Sequence, residues 1–105
     1  MAIVGAWSGM TIGPGRYGAV TFRYGSGEVG HLHGNSHADL PFPTRLRHVL
    51  VAFGAADPHR YMPASGWVTV PLDRPDGTAS ALVLFALNDD LIARRHQPYE
   101  AMPEG

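Results

Sequence analysis

Cysteine and lysine are both missing from this chain. Without cysteine there is no disulfide, no thiolate zinc site, no iron–sulfur ligand and no thiol nucleophile. Without lysine all eight basic residues are arginine, and no run of them exceeds two. A nucleic-acid surface needs clustered positive charge, so no nucleic-acid partner is expected. Charge is scarce overall: 16% of residues carry it and the net charge is −1, against a usual share of about 25%. Nor is there an apolar run near the ~20 residues that cross a bilayer. The opening "MAIVGAWSG" lacks the basic start and long apolar stretch of a signal peptide. The expectation is a soluble cytoplasmic protein with no membrane partner.

What remains is a 45% hydrophobic chain of 105 residues, enough for one domain over 1–105 with one modest core. Residues 1–15 are glycine-rich and read as a loose N-terminal segment, and 96–105 as a frayed tail. "GAVTFRY" (18–24) alternates, placing Val20, Phe22 and Tyr24 on one strand face and Thr21 and Arg23 on the other. The "GSG" turn can supply positive φ, and "EVGHLHG" then returns as the second arm of a hairpin. Pro43 suits a helix start, Leu46, Val49, Leu50 and Phe53 recur at helical spacing, and Gly54 suits the stop. "WVTVPL" (67–72) is a third strand, with Pro71 at an edge or an end. "ASALVLFALNDDLIARR" is the second helix, with Leu82, Phe85 and Leu91 or Ile92 facing inward and Asp89 and Asp90 solvated. The order β-β-α-β-α predicts an α+β two-layer sandwich, a small, largely antiparallel sheet with two helices on one face.

His31, His33, His37 and Asp39 fall within nine positions. Residues two apart on a strand share a face, so His31 and His33 point one way and Leu32 points into the core. Trp67 and Thr69 belong on the histidine side, the face without helices. Two imidazoles so placed can reach one metal ion, with Asp39, His37 or His59 completing the set. Zinc, iron or nickel would suit such donors, and affinity is expected to fall below about pH 6, where imidazoles protonate. The plainer alternative is that these histidines hydrogen-bond across strands or at an interface. His37 also reads as a solvated turn residue in "GNSH", Asp39 as a cap, and Ser65 as a turn residue without a Gly-x-Ser-x-Gly elbow. No phosphate-binding loop is present, since Gly13-Pro14-Gly15 is followed by neither Lys nor a helix.

"GEVGHLHG", "DLPFP" leading into a helix, "PH" after it and "SGWV" opening the next strand occur in that order. With these pieces, over roughly 18–87, the chain resembles the small bacterial and fungal luciferase domain family. The strand-to-final-helix arrangement bears a lesser likeness to the MmcQ/YjbR architecture. The resemblance marks His31, His33, Asp39, His59, Ser65 and Trp67 as family-pattern positions without assigning catalytic roles. "LFALNDD" departs from the pattern, with Ala86 and Asp89 where an arginine and an aromatic residue are expected.

Two functions are consistent with this reading. One is a small-molecule or metal-binding domain, in the luciferase-like case an oxygenase using dioxygen with an organic cofactor or luciferin. Its metal would sit on His31, His33 and His59, with Trp67, Ser65 and Asp39 as ligand or interface residues. The other is a non-catalytic interaction domain that homodimerises through the same face, driven by an exposed Trp67.

Overall fold

The computed structural model describes residues 2–62 and 65–96. A helical turn, α1 (Ala2–Gly5), precedes strand β1 (Met10–Pro14) and a short 3-10 turn at Arg16–Gly18. Strands β2 (Val20–Tyr24), β3 (Gly27–His33) and β4 (His37–Pro41) follow, then helix α2 (Thr44–Ala52). The two-residue β5 (Asp57–Pro58), strand β6 (Trp67–Pro71) and the long helix α3 (Gly77–His96) complete the described chain. The six strands form one antiparallel sheet in the order β1-β2-β3-β4-β6-β5. The predicted α+β sandwich is present, with a wider sheet than the sequence suggested. The N-terminal stretch expected to be loose supplies α1 and an edge strand. The "HADLP" segment, read as turn and cap, is the central strand β4. The tail beyond His96 lies outside the described residues.

Alternation along the strands divides the sheet into a dry and a wet face. Phe22, Leu32, Ala38, Leu40, Val68 and Val70 are buried on the dry face. Helix α3 covers them with Ala81, Leu84, Phe85 and Ile92, spaced as one helical stripe. Phe85 meets Phe22 edge-on at 5.4 Å between ring centroids, a favoured aromatic geometry. Leu50 of α2 joins this core and Leu46 packs against it half-buried, as does Leu82. Val20 departs from expectation: at the end of β2 it is 40% exposed.

Gly54 ends α2 with φ +75°, the left-handed conformation expected of a C-terminal glycine. Gly66 is required for a different reason. Phe42 N–H donates to its carbonyl at 2.9 Å, and a Cβ there would strike the Phe42 carbonyl oxygen. Pro71 closes β6 beyond the reach of β5, where no ladder bond is lost to it. Asp90 is solvated and pairs with Arg94 at 2.8 Å. Asp89 is not solvated as expected: it is half-buried, one carboxyl oxygen lacks a partner among the described residues, and burial followed by repulsion from Asp90 pushes its pKa up.

Candidate metal centre

The wet face is built by strand register. Thr21 of β2 lies opposite His31 of β3, His31 opposite Asp39 of β4, and Asp39 opposite Thr69 of β6. One position along, His33 faces His37, and Pro41 pairs with Trp67. The register therefore brings His31, His33, His37, Asp39, Thr69 and Trp67 to one surface. His59 enters from the loop after β5.

These side chains converge on one oxygen. Asp39 Oδ2 lies 3.2 Å from His31 Nε2, 3.2 Å from His33 Nε2, 3.5 Å from His59 Nε2 and 3.7 Å from His37 Nε2. The Asp39 side chain is only 4% exposed. Its other oxygen accepts the Thr69 hydroxyl at 2.6 Å, which fixes the rotation of the carboxylate. Metal bonds of ~2.0–2.2 Å place adjacent ligand atoms ~3.0–3.5 Å apart. The two 3.2 Å separations around Asp39 fall in that range, and His31, His33 and Asp39 are the group able to share an ion.

Each member has a distinct electrostatic state. His31 is held between two carboxylates, Asp39 on Nε2 and Glu28 Oε2 on Nδ1 at 2.8 Å. The Asp39 bond first and the Glu28 bond second raise its pKa to about 9, against an opposing effect of burial. Burial works against ionised Asp39, but the bonds from His31 and Thr69 and the nearby His59 and His37 outweigh it and hold its pKa at about 2. His33 is shifted the other way, downward, by burial and then by the neighbouring His37, whose ring stacks on it at 4.5 Å. The neutral imidazole of His33 is thus ready to ligate, whereas His31 must give up a proton.

Sequence alternation does not place Glu28 with the histidines, because it lies three positions before His31 and a regular strand would point the two to opposite faces. The register slips here: Phe22 pairs with Gly30 but Arg23 pairs with Glu28, leaving Val29 as an extra residue in β3. This bulge returns Glu28 to the histidine face. A carboxylate behind a metal-binding imidazole orients the ring and raises its donor strength. His37 opens β4 and does not belong to the turn that "GNSH" suggests. Its Nδ1 lies 2.9 Å from the Ser36 hydroxyl.

The remaining candidates sit around this centre. Trp67 is half-buried rather than exposed, its ring 5.2 Å from that of His31 and 6.1 Å from that of His59. Ser65 belongs to a turn: its hydroxyl donates to the Met62 carbonyl at 2.7 Å and accepts the Trp67 amide at 3.1 Å. His59 is buried, and its Nδ1 accepts the Tyr61 amide N–H at 3.2 Å. The structure thus brings His31, His33, Asp39, His59 and Trp67 together and leaves Ser65 supporting the backbone that delivers Trp67.

An open concavity of about 1470 Å³ lies over the centre. The 3-10 turn with Tyr17 and the Arg60–Met62 loop both line it. Tyr17 is 95% exposed and holds φ +57°, a conformation that costs energy outside glycine and is found disproportionately at functional sites.

The family model of the luciferase domain matches residues 26–89. The chain therefore belongs to the luciferase domain family, and the matched span carries His31, His33, Asp39, His59 and Trp67. No curated protein and no solved structure matches the chain.

Proposed function

We propose that this luciferase-domain protein holds a divalent metal ion on His31, His33 and Asp39 and uses it on a small molecule bound in the concavity above. The observation that carries this reading is the convergence of two imidazole nitrogens, each 3.2 Å from one carboxylate oxygen. Two histidines and a carboxylate on one side of an ion leave its other positions open, the donor set of non-haem iron(II) oxygenases and of catalytic zinc sites alike. Glu28 behind His31 and Thr69 behind Asp39 hold two of the three ligands in place. With iron, the open positions would take dioxygen and substrate, the chemistry expected of an oxygenase-type member of this family.

Elemental analysis of protein purified without a histidine tag tests the reading. About one equivalent of iron or zinc is expected, falling below a tenth of an equivalent in His33→Ala. Stoichiometric metal that is unchanged by His33→Ala would contradict it.

A second reading is self-association through the same face. Tyr17 and Tyr61, 95% and 80% exposed at the rim of the concavity, favour it. Trp67 does not, because its ring already packs on imidazoles.

A further inference from the structure

A ring nitrogen that accepts a hydrogen bond carries no proton, so the neutral imidazole has its proton on the other nitrogen. His59 accepts the Tyr61 amide at Nδ1. Its Nε2 is therefore a donor and not a metal ligand, in contrast to the expectation from sequence. That donor points at the centre but is poorly used there. Asp39 Oδ2 is 3.5 Å away, long for a hydrogen bond, and already has His31 and His33 nearer. The side chain is only 11% exposed, so water reaches it poorly. A donor beside the proposed ion site, with no hydrogen bond at that nitrogen among the described residues, is free to serve an acceptor on the missing ligand.

The charges in the concavity favour the same conclusion. Of the four acids lining it, Asp39 and Glu28 face His31, Asp57 pairs with Arg74 at 3.0 Å, and Asp73 has no basic partner among the described residues. Arg16, Arg23 and Arg60 also line it, and none has an acid partner among the described residues. A divalent ion would be offset by Asp39 and Glu28 once His31 gives up its proton, so the three arginines against Asp73 leave the concavity net positive.

We infer that the molecule taken up by this centre is a small organic oxyanion, of the carboxylate class, with one oxygen on the open side of the ion and accepting the Nε2–H of His59. Trp67 and Met62 line the concavity where its apolar body would lie. The inference rests on the metal reading above, and His59 is a binding residue within it.

Benzoate and its neutral isostere benzamide are the probes, titrated into zinc-loaded protein by calorimetry at pH 7.5. Benzoate is expected to bind at least tenfold more tightly than benzamide. His59→Phe should lose that tenfold while His59→Gln, which keeps an N–H donor, stays within about threefold of the parent. Zinc affinity should change less than threefold in both variants. Equal binding of the two probes, or none, with zinc still bound overturns this inference alone. Loss of zinc affinity in a folded His59→Phe protein also overturns it, since His59 would then be a ligand. A parent that takes up no zinc overturns the metal reading and this inference together. Should His59→Phe fail to fold, the comparison of probes on the parent still decides.

Discussion

At the scale of the residue, the centre is defined by who holds the protons. His31 gains proton affinity in the folded state, so its contribution to stability is complete below its ordinary pKa of 6.5 and is lost as pH rises through about 9. Asp39 loses proton affinity, so its contribution is present above its ordinary 3.8 and is lost as pH falls through about 2. In metal-free protein the His31 and Asp39 contributions are accordingly both complete between about pH 4 and pH 6.5. Its melting temperature should fall from pH 6.5 to pH 9.5, and His31→Gln should flatten that slope. A melting temperature in chelator that rises steadily to pH 9.5 would contradict the ion-paired imidazolium. The same proton must leave when a metal arrives. Zinc binding at pH 7.5, compared in buffers of different ionisation enthalpy, should release close to one proton; no release would show that His31 is already neutral.

At the scale of the element, much of the fold could be read directly. Helix α3 and strand β6 are periodic enough for their buried faces to stand out, whereas Val49 in α2 and Phe53 at its end share the spacing of buried Leu50 and are exposed, as is Val20 in β2. The β1 and β4 segments do not stand out. "MTIGP" contains a glycine and a proline, and "HADLP" buries Ala38, Asp39 and Leu40 in succession, which hides the alternation of a strand. With the alternation of β4 hidden, the sequence marks Asp39 as a site residue but not as its hub, and the bulge at Val29 hides Glu28 altogether. Two substitutions test the helices. Leu50→Ala removes a core side chain of α2 and should cost about 2–5 kcal/mol, read as a lower urea midpoint with an unchanged slope. An unchanged midpoint would remove α2 from the core. Asp89 in α3 is held against its charge, so Asp89→Asn should raise the melting temperature at pH 7, with the gain shrinking toward pH 4. A loss at pH 7 would mean that the carboxylate has a stabilising partner.

At the scale of the whole molecule, the sheet divides the work. One face, sealed by α3 and α2, supplies the core, while the other leaves histidines, a tryptophan and arginines around an open concavity. Nothing packed on the second face competes with a ligand within the described residues, which is why its chemistry and its capacity for self-association are linked. Light scattering at micromolar concentration separates the two. A monomer is expected if the concavity serves a small molecule, and a dimer abolished by Tyr17→Glu or Tyr61→Glu would favour the interaction reading instead.

Titrating zinc into chelator-treated protein by calorimetry at pH 7.5 tests whether His31, His33 and Asp39 form a metal centre. One ion per chain is expected, with a dissociation constant below roughly 10 μM, equivalent to about 7 kcal/mol. His33→Ala should weaken it at least a hundredfold while leaving the far-ultraviolet circular dichroism unchanged. Binding weaker than that limit in the parent, or the same in both proteins, would show that the histidines of "GHLHG" are structural and that no metal centre exists here.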